Sequence, residues 1–151
     1  MGKRKDIYDA LQTALNASTS INYVTIDVAE NPWDFKQNKF PAVRIYDGEE
    51  QITRLSFPSA TSSGADDMES TIPFEFIGYV AKLAKSTGSI DQSRNDLMVA
   101  VEKSLTQSTA INDLVKDIVP QERDTDRGYS DGIGWSNGIF SVLYHYNHLS
   151  P

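Results

Sequence analysis

Residues 121–146 read QERDTDRGYSDGIGWSNGIFSVLYHY, and the way this stretch folds decides the rest of the chain. Its first part holds Glu122, Arg123, Asp124, Asp126, Arg127 and Asp131, broken by Gly128, Gly132 and Gly134. Its last part places Phe140, Val142, Tyr144 and Tyr146 at every second position. That period of two, carried by aromatic and β-branched residues, predicts a strand over 138–146 with these four side chains on one face. The charged part before it, punctuated by glycine, reads as a long loop over 122–131. A loop of this kind serves catalysis, a metal ion or protein assembly, and the remaining sequence has to choose.

Working outward, the segment 111–119 is ambiguous between a short helix and a strand; a strand over 114–119, stopped by Pro120, is the preferred reading. Residues 89–108 predict a helix whose core stripe is Leu97, Val101 and Leu105 with Met98 beside it, capped by Asp91 or Ser93. Residues 71–82 predict a long strand, apolar on both faces, with Gly78 as a bend or bulge. The small, polar run 58–70 has no period and reads as a flexible loop or a segment ordered only by a partner.

Residues 42–46 predict a strand closed by Asp47-Gly48, a hairpin signal, with 51–57 returning as the next strand. Pro41 suits the position that opens a strand. A further strand is expected over 21–28, with Tyr23 and Thr25 on one side and Val24, Ile26 and Val28 on the other. Trp33 and Phe35 are expected to pin the connection that follows. At 6–17, Ile7, Ala10, Leu11, Ala14 and Leu15 form an amphipathic helical stripe. Helix, strands, helix and strands in this order predict an α+β fold: a two-layer sandwich, mainly an antiparallel sheet with two helices on one side, as a single domain over 1–151.

The 151 residues suffice for a proper core without staples, and no cysteine is present to supply disulfides or thiolate ligands. A formal charge of −7 argues against duplex DNA as a binding partner, because phosphate neutralisation needs clustered Lys and Arg. Only Lys3, Arg4 and Lys5 cluster. No apolar run approaches membrane-spanning length, and MGKRKDIYDALQTAL lacks the apolar centre of a secretory signal. A cytoplasmic protein with no membrane contact is the expectation.

Motifs for chemistry fail on spacing. Gly132, Gly134 and Gly138 stand as G-x-G-x-x-x-G before a strand, whereas a dinucleotide loop must open a helix. A calcium loop starting at Asp124 would find Gly128 and Trp135 where acidic or amide ligands are required. His145 and His148, three apart in a strand, would point to opposite faces. No G-x-S-x-G elbow occurs, and the neighbouring Asp66 and Asp67 do not by adjacency make a catalytic pair. The expectation is therefore no enzyme, no cofactor and no metal site. What remains is Glu122, Arg123, Asp124, Thr125, Asp126, Arg127, Gly128 and Tyr129 as a surface of mixed charge suited to complementary pairing with other protein. The same residues also fit a solvated hairpin loop with no partner.

The stretch LVKDIVPQERDTDRGYSDGIGWSNGIFSVLYHY resembles the end of tail-terminator (tail-completion) proteins of long-tailed bacteriophages, with their acidic D-T-D-x-G loop, glycine-rich turn and final strand. IYDALQTAL, FPAVRIYDGEE, FEFIGYV and DLMVAVEKSL extend the resemblance over most of the chain in the same order. The resemblance implies a two-layer α+β subunit assembled as a homo-oligomer, a hexameric ring on the last ring of tail-tube protein. Such a ring stops tube polymerisation and gives the head-completion or neck protein its docking surface, while DNA passes through the channel without specific binding. It implies a virion location in the tail or neck, after assembly in the host cytoplasm. The family's loop maps onto Asp124, Thr125, Asp126, Gly128 and the Gly132 to Gly134 turn. A head–tail connector or other neck protein is the alternative, and a small ligand-binding domain or hydrolase a more distant one.

Overall fold

The computed structural model describes residues 2–27, 29–54, 68–81, 90–130 and 132–146, without the side chains of 91 and 125–130. In chain order the elements are α1 (Lys3–Asn16), β1 (Tyr23–Thr25), β2 (Ala42–Asp47), β3 (Gln51–Arg54), β4 (Met68–Ala81), α2 (Ile90–Thr106), α3 (Thr109–Leu114), β5 (Asp117–Ser130) and β6 (Ile133–Tyr146). The six strands form one sheet in the order β1-β2-β4-β6-β5, with β3 also paired to β4. Only β1 and β2 run parallel; every other pairing is antiparallel. The fold is α+β in two layers, as the sequence predicts.

Period-two and period-3.6 patterns meet in one core. Val43 and Ile45 of β2, Ile72, Phe74, Phe76 and Val80 of β4, and Phe140, Val142 and Tyr144 of β6 all face the helices. The predicted stripes Ile7, Leu11 and Leu15 of α1 and Leu97, Met98, Val101 and Leu105 of α2 are buried against them. Each such side chain contributes roughly 1.5–3 kcal/mol by leaving water. Val24 joins this core while Tyr23 lies on the opposite sheet face, as the alternation at 21–28 requires, although β1 itself is shorter than expected.

The segment 122–131 departs from the loop that its sequence predicts. Up to Ser130 this run is no loop but the outer part of β5, paired with β6 from Asp117↔Leu143 to Ser130↔Ile133. The register slips twice, between Pro120 and Glu122 and between Asp124 and Gly128, which erases the alternation a strand reading depends on. β5 is the sheet's edge, where one row of backbone groups faces outward. Proline, bulges and mixed charge are the features that keep such an edge from pairing with another chain. Pro120 therefore sits inside the strand instead of ending it. The reversal itself comes at Gly132, whose φ of 81° lies where only glycine is unstrained.

The glycines beyond that turn belong to β6, which starts at Ile133 and not at 138. Gly134, Ser136 and Gly138 fall on the helix face, with Gly78 of β4 opposite Ser136. A Cβ on Gly138 would come within 2.9 Å of Met98 Cε, and one on Gly78 within 2.6 Å of Leu97 Cδ2. These small residues make the floor on which α2 lies. Gly78 pairs regularly with Val43 and Ser136, so it is a site of close approach and not a bend or bulge.

Asp47-Gly48 departs from the hairpin that its sequence predicts. β2 and β3 do not form a hairpin; both run antiparallel to β4, as two parts of one interrupted strand. Asp47 pairs with Phe74 and Gln51 with Thr71, so the outer path holds one more residue than β4. Pro73 lies opposite the break and has no N–H to offer, while its carbonyl accepts from Gly48 N at 2.7 Å. The interruption thus falls where β4 lacks a donor.

Among the described residues a third, short helix joins the two that the sequence predicts and packs against α1. The segment preferred as a strand over 114–119 instead ends α3 at Leu114 and begins β5 at Asp117. Ser108 caps α3, its side chain accepting from Ile111 N at 3.2 Å. Asp91 and Ser93 lie in the first turn of the described part of α2, which runs from Ile90. Of the polar run 58–70, Met68, Glu69 and Ser70 open β4; the rest lies outside the described residues, as do 55–57 of the returning strand, Val28, Asp131 and His148.

Candidate functional site

The sheet face turned away from the helices carries a different set of side chains. Register places Tyr46, Glu75, Ile139 and Glu122 in one row across β2, β4, β6 and β5. The next row is Arg44, Ile77, Asn137 and Asp124, and the next begins Ala42, Tyr79, Trp135. Towards the other end, Ser141 stands opposite Val119, and Leu143 opposite Asp117. No α-helix among the described residues covers this face. The connection 31–40 covers part of it: Phe35 packs edge-on against Tyr23, and Trp33 lies edge-on to both Tyr79 and Trp135.

Sequence-predicted interface residues divide between the two faces. Glu122 and Asp124 lie on the open face, opposite Ile139 and Asn137. Arg123 points the other way, and its Nη2 stands 3.2 Å from Glu102 Oε2 of α2. Thr125, Asp126 and Arg127 occupy the second register slip of β5, and Gly128 and Tyr129 pair by backbone with Trp135 and Gly134. Arg123 therefore does not share a face with Glu122 and Asp124. Glu122 and Asp124 join the open face, while Arg123 serves the protein's own packing.

The open face contains a cleft of about 280 Å³ bounded by Trp33, Glu75, Ile77, Tyr79, Trp135 and Asn137. Trp33 and Trp135 ring centroids are 5.6 Å apart at 71°, and those of Trp33 and Tyr79 are 6.3 Å apart at 72°. Burial raises the Tyr79 phenol above its ordinary range, and the nearby charge of Arg44 opposes that only in part. Asn137 is 7% exposed; its Nδ2 reaches Glu75 Oε2 at 3.5 Å, and its Oδ1 has no hydrogen-bond partner. Arg44, 6% exposed on the same face, donates to Tyr46 Oη at 2.8 Å and to the Glu30 carbonyl.

A second polar cluster sits on the helix face beside the start of α1. Glu50 accepts from Ser70, from Tyr144 and from Arg4 Nη1, the last at 2.8 Å, and Arg4 also pairs with Asp47. Burial pushes the Glu50 carboxyl up, but the Ser70 and Tyr144 hydroxyls and the Arg4 charge outweigh it and hold the group below the usual carboxylate range. Burial first, then the bond to Glu50, pushes Tyr144 up to about 12. This arrangement ties α1 to the break between β2 and β3.

Among the described residues no three His, Asp or Glu side chains gather into a set that could hold a metal ion, and no helix is long and apolar enough to cross a membrane. His145 pairs with Glu69 at 2.9 Å. Sequence reading missed Glu75, Ile77, Tyr79 and Asn137 as site residues. The one signal that could have found them is the alternation Ile133, Trp135, Asn137, Ile139, which sets large side chains opposite the small ones at Gly134, Ser136 and Gly138. No protein-family model matches the chain, and no curated protein matches it either.

Proposed function

We propose that this chain is a structural assembly subunit of the tail-terminator kind: six copies form a ring on the end of a tail tube, stop its growth and present a surface to the head-completion or neck protein. The observation that supports this reading most is the open sheet face. It carries the half-buried Ile77, Trp135, Ile139 and Leu143, and Val119 at 39% exposure, edged by Glu122, Asp124 and Asp117. An apolar sheet face rimmed by charge is the kind of surface that protein partners cover. The two-layer α+β fold is the one that the resemblance implies. Six copies at −7 each would carry −42, a field that repels phosphate and lets DNA pass a central channel without adhering.

Deleting the gene from its phage tests the reading. Overlong tubes or headless tails are the expected outcome. Filled heads that leak DNA would favour the head–tail connector reading, and particles of normal form would exclude both.

A further inference from the structure

We infer that the cleft between Trp33, Trp135 and Glu75 is a binding site for a guanidinium group, namely an arginine side chain presented by a protein partner. Its lining offers aromatic rings, the Glu75 carboxylate and the Asn137 amide, whose buried Oδ1 has no hydrogen-bond partner. The lining side chains thus combine aromatic rings with a carboxylate, a chemistry that selects a cation with several N–H donors. Asn137 supplies the strongest sign of a missing group. A carbonyl oxygen on a side chain only 7% exposed is left without a donor, which costs free energy unless something fills the cleft.

Charge on this face points the same way. Glu75, Glu122 and Asp124 lie in adjoining rows around Asn137 and Ile139. Arg44 is the cation in those rows, and its terminal nitrogens are already held by Tyr46 and the Glu30 carbonyl. A guanidinium suits the site better than an ammonium, because it is planar, weakly hydrated and stacks on aromatic rings. With Trp33 at 41% exposure, the cleft opens where a side chain from another protein can enter. The site serves any arginine-bearing partner, so its failure would leave the ring proposal standing.

Titrating the full chain with N-acetylarginine amide while following the indole N–H signals of Trp33 and Trp135 by NMR provides the test. Saturable shifts with a Kd on the order of 10 mM or tighter are expected, as one cation–π contact with charged hydrogen bonds supplies. Glu75→Gln should weaken binding by about threefold or more, while Glu69→Gln, at the other end of the sheet, should leave it unchanged. Both variants are checked by their melting curves. N-acetylcitrulline amide, neutral but of the same shape, should not bind. Equal binding of the citrulline probe, tighter binding of free arginine than of its blocked amide, or no saturable shift at all would overturn the proposal. The first outcome would mark an apolar slot, the second a small-molecule site and the third no site.

Discussion

Arg123 of β5 reaches over the helix face to Glu102 of α2, Nη2 to Oε2, at 3.2 Å. One charge from the middle of the predicted interface is therefore engaged within the subunit, and its neighbours on either side are not equivalent to it. Both partners are part-exposed, so the pair is worth at most about 1 kcal/mol. Arg123→Glu is expected to lower stability by no more than that. Adding Glu102→Arg should recover most of the loss, and urea melts of the two single variants and the double variant check this.

Reversing Glu122 and Asp124 to lysine should act oppositely. These residues border the open face, on the side of the sheet away from α2, so stability should change by about 0.5 kcal/mol or less. Assembly should suffer. Sedimentation of the double variant beside Arg123→Glu separates the two roles, with only the former losing oligomer.

The close approach of α2 to the sheet gives a larger effect. A side chain at Gly138 must displace Met98, and one at Gly78 must displace Leu97, both deeply buried. Gly138→Val and Gly78→Val are each expected to cost about 1–3 kcal/mol by overpacking. Gly132 has open space around its Cβ position, yet its φ of 81° makes Gly132→Ala cost about 1–2 kcal/mol through backbone strain alone. Gly132→Asn should cost less, since Asn tolerates that conformation. Denaturant midpoints at constant slope test all four.

How much of this was legible follows from which residues carry a period. The α1 and α2 stripes, β4 and the Phe140 to Tyr146 face stand out because each buries one face against a single layer. β5 did not, because an edge strand needs no apolar face and because the slips at 121 and 125–127 break its alternation. Asp47-Gly48 misled because its partner is Pro73, distant in sequence, and not the residues just after it. The cleft was hidden for a similar reason. Trp33, Glu75 and Asn137 come from three separate segments, and only the β4–β6 register and the folded-back connection bring them together.

Stability against pH should be limited at both ends by the cluster at Glu50. Its folded pKa is lowered, so its contribution is present above the unfolded value of about 4.3 and is lost as pH falls through the folded one. Glu50→Gln should flatten the acid limb of a melting-temperature profile. Tyr144 and Tyr8, each pushed up to about 12, act with the opposite sign. Their contribution is complete below the ordinary phenol value of about 10 and is lost as pH rises through about 12. Tyr144→Phe should remove part of that alkaline loss and also flatten the acid limb, since Glu50 then has one donor fewer and its folded pKa lies closer to the unfolded one.

The assembly claim is tested most directly by sedimentation velocity of the purified chain over a range of concentrations, with electron microscopy of the fastest species. Ring-shaped particles of six subunits that dissociate when Glu122 and Asp124 are reversed are the expected result. A single 16.8 kDa species at every concentration, unaltered by that reversal, would contradict it.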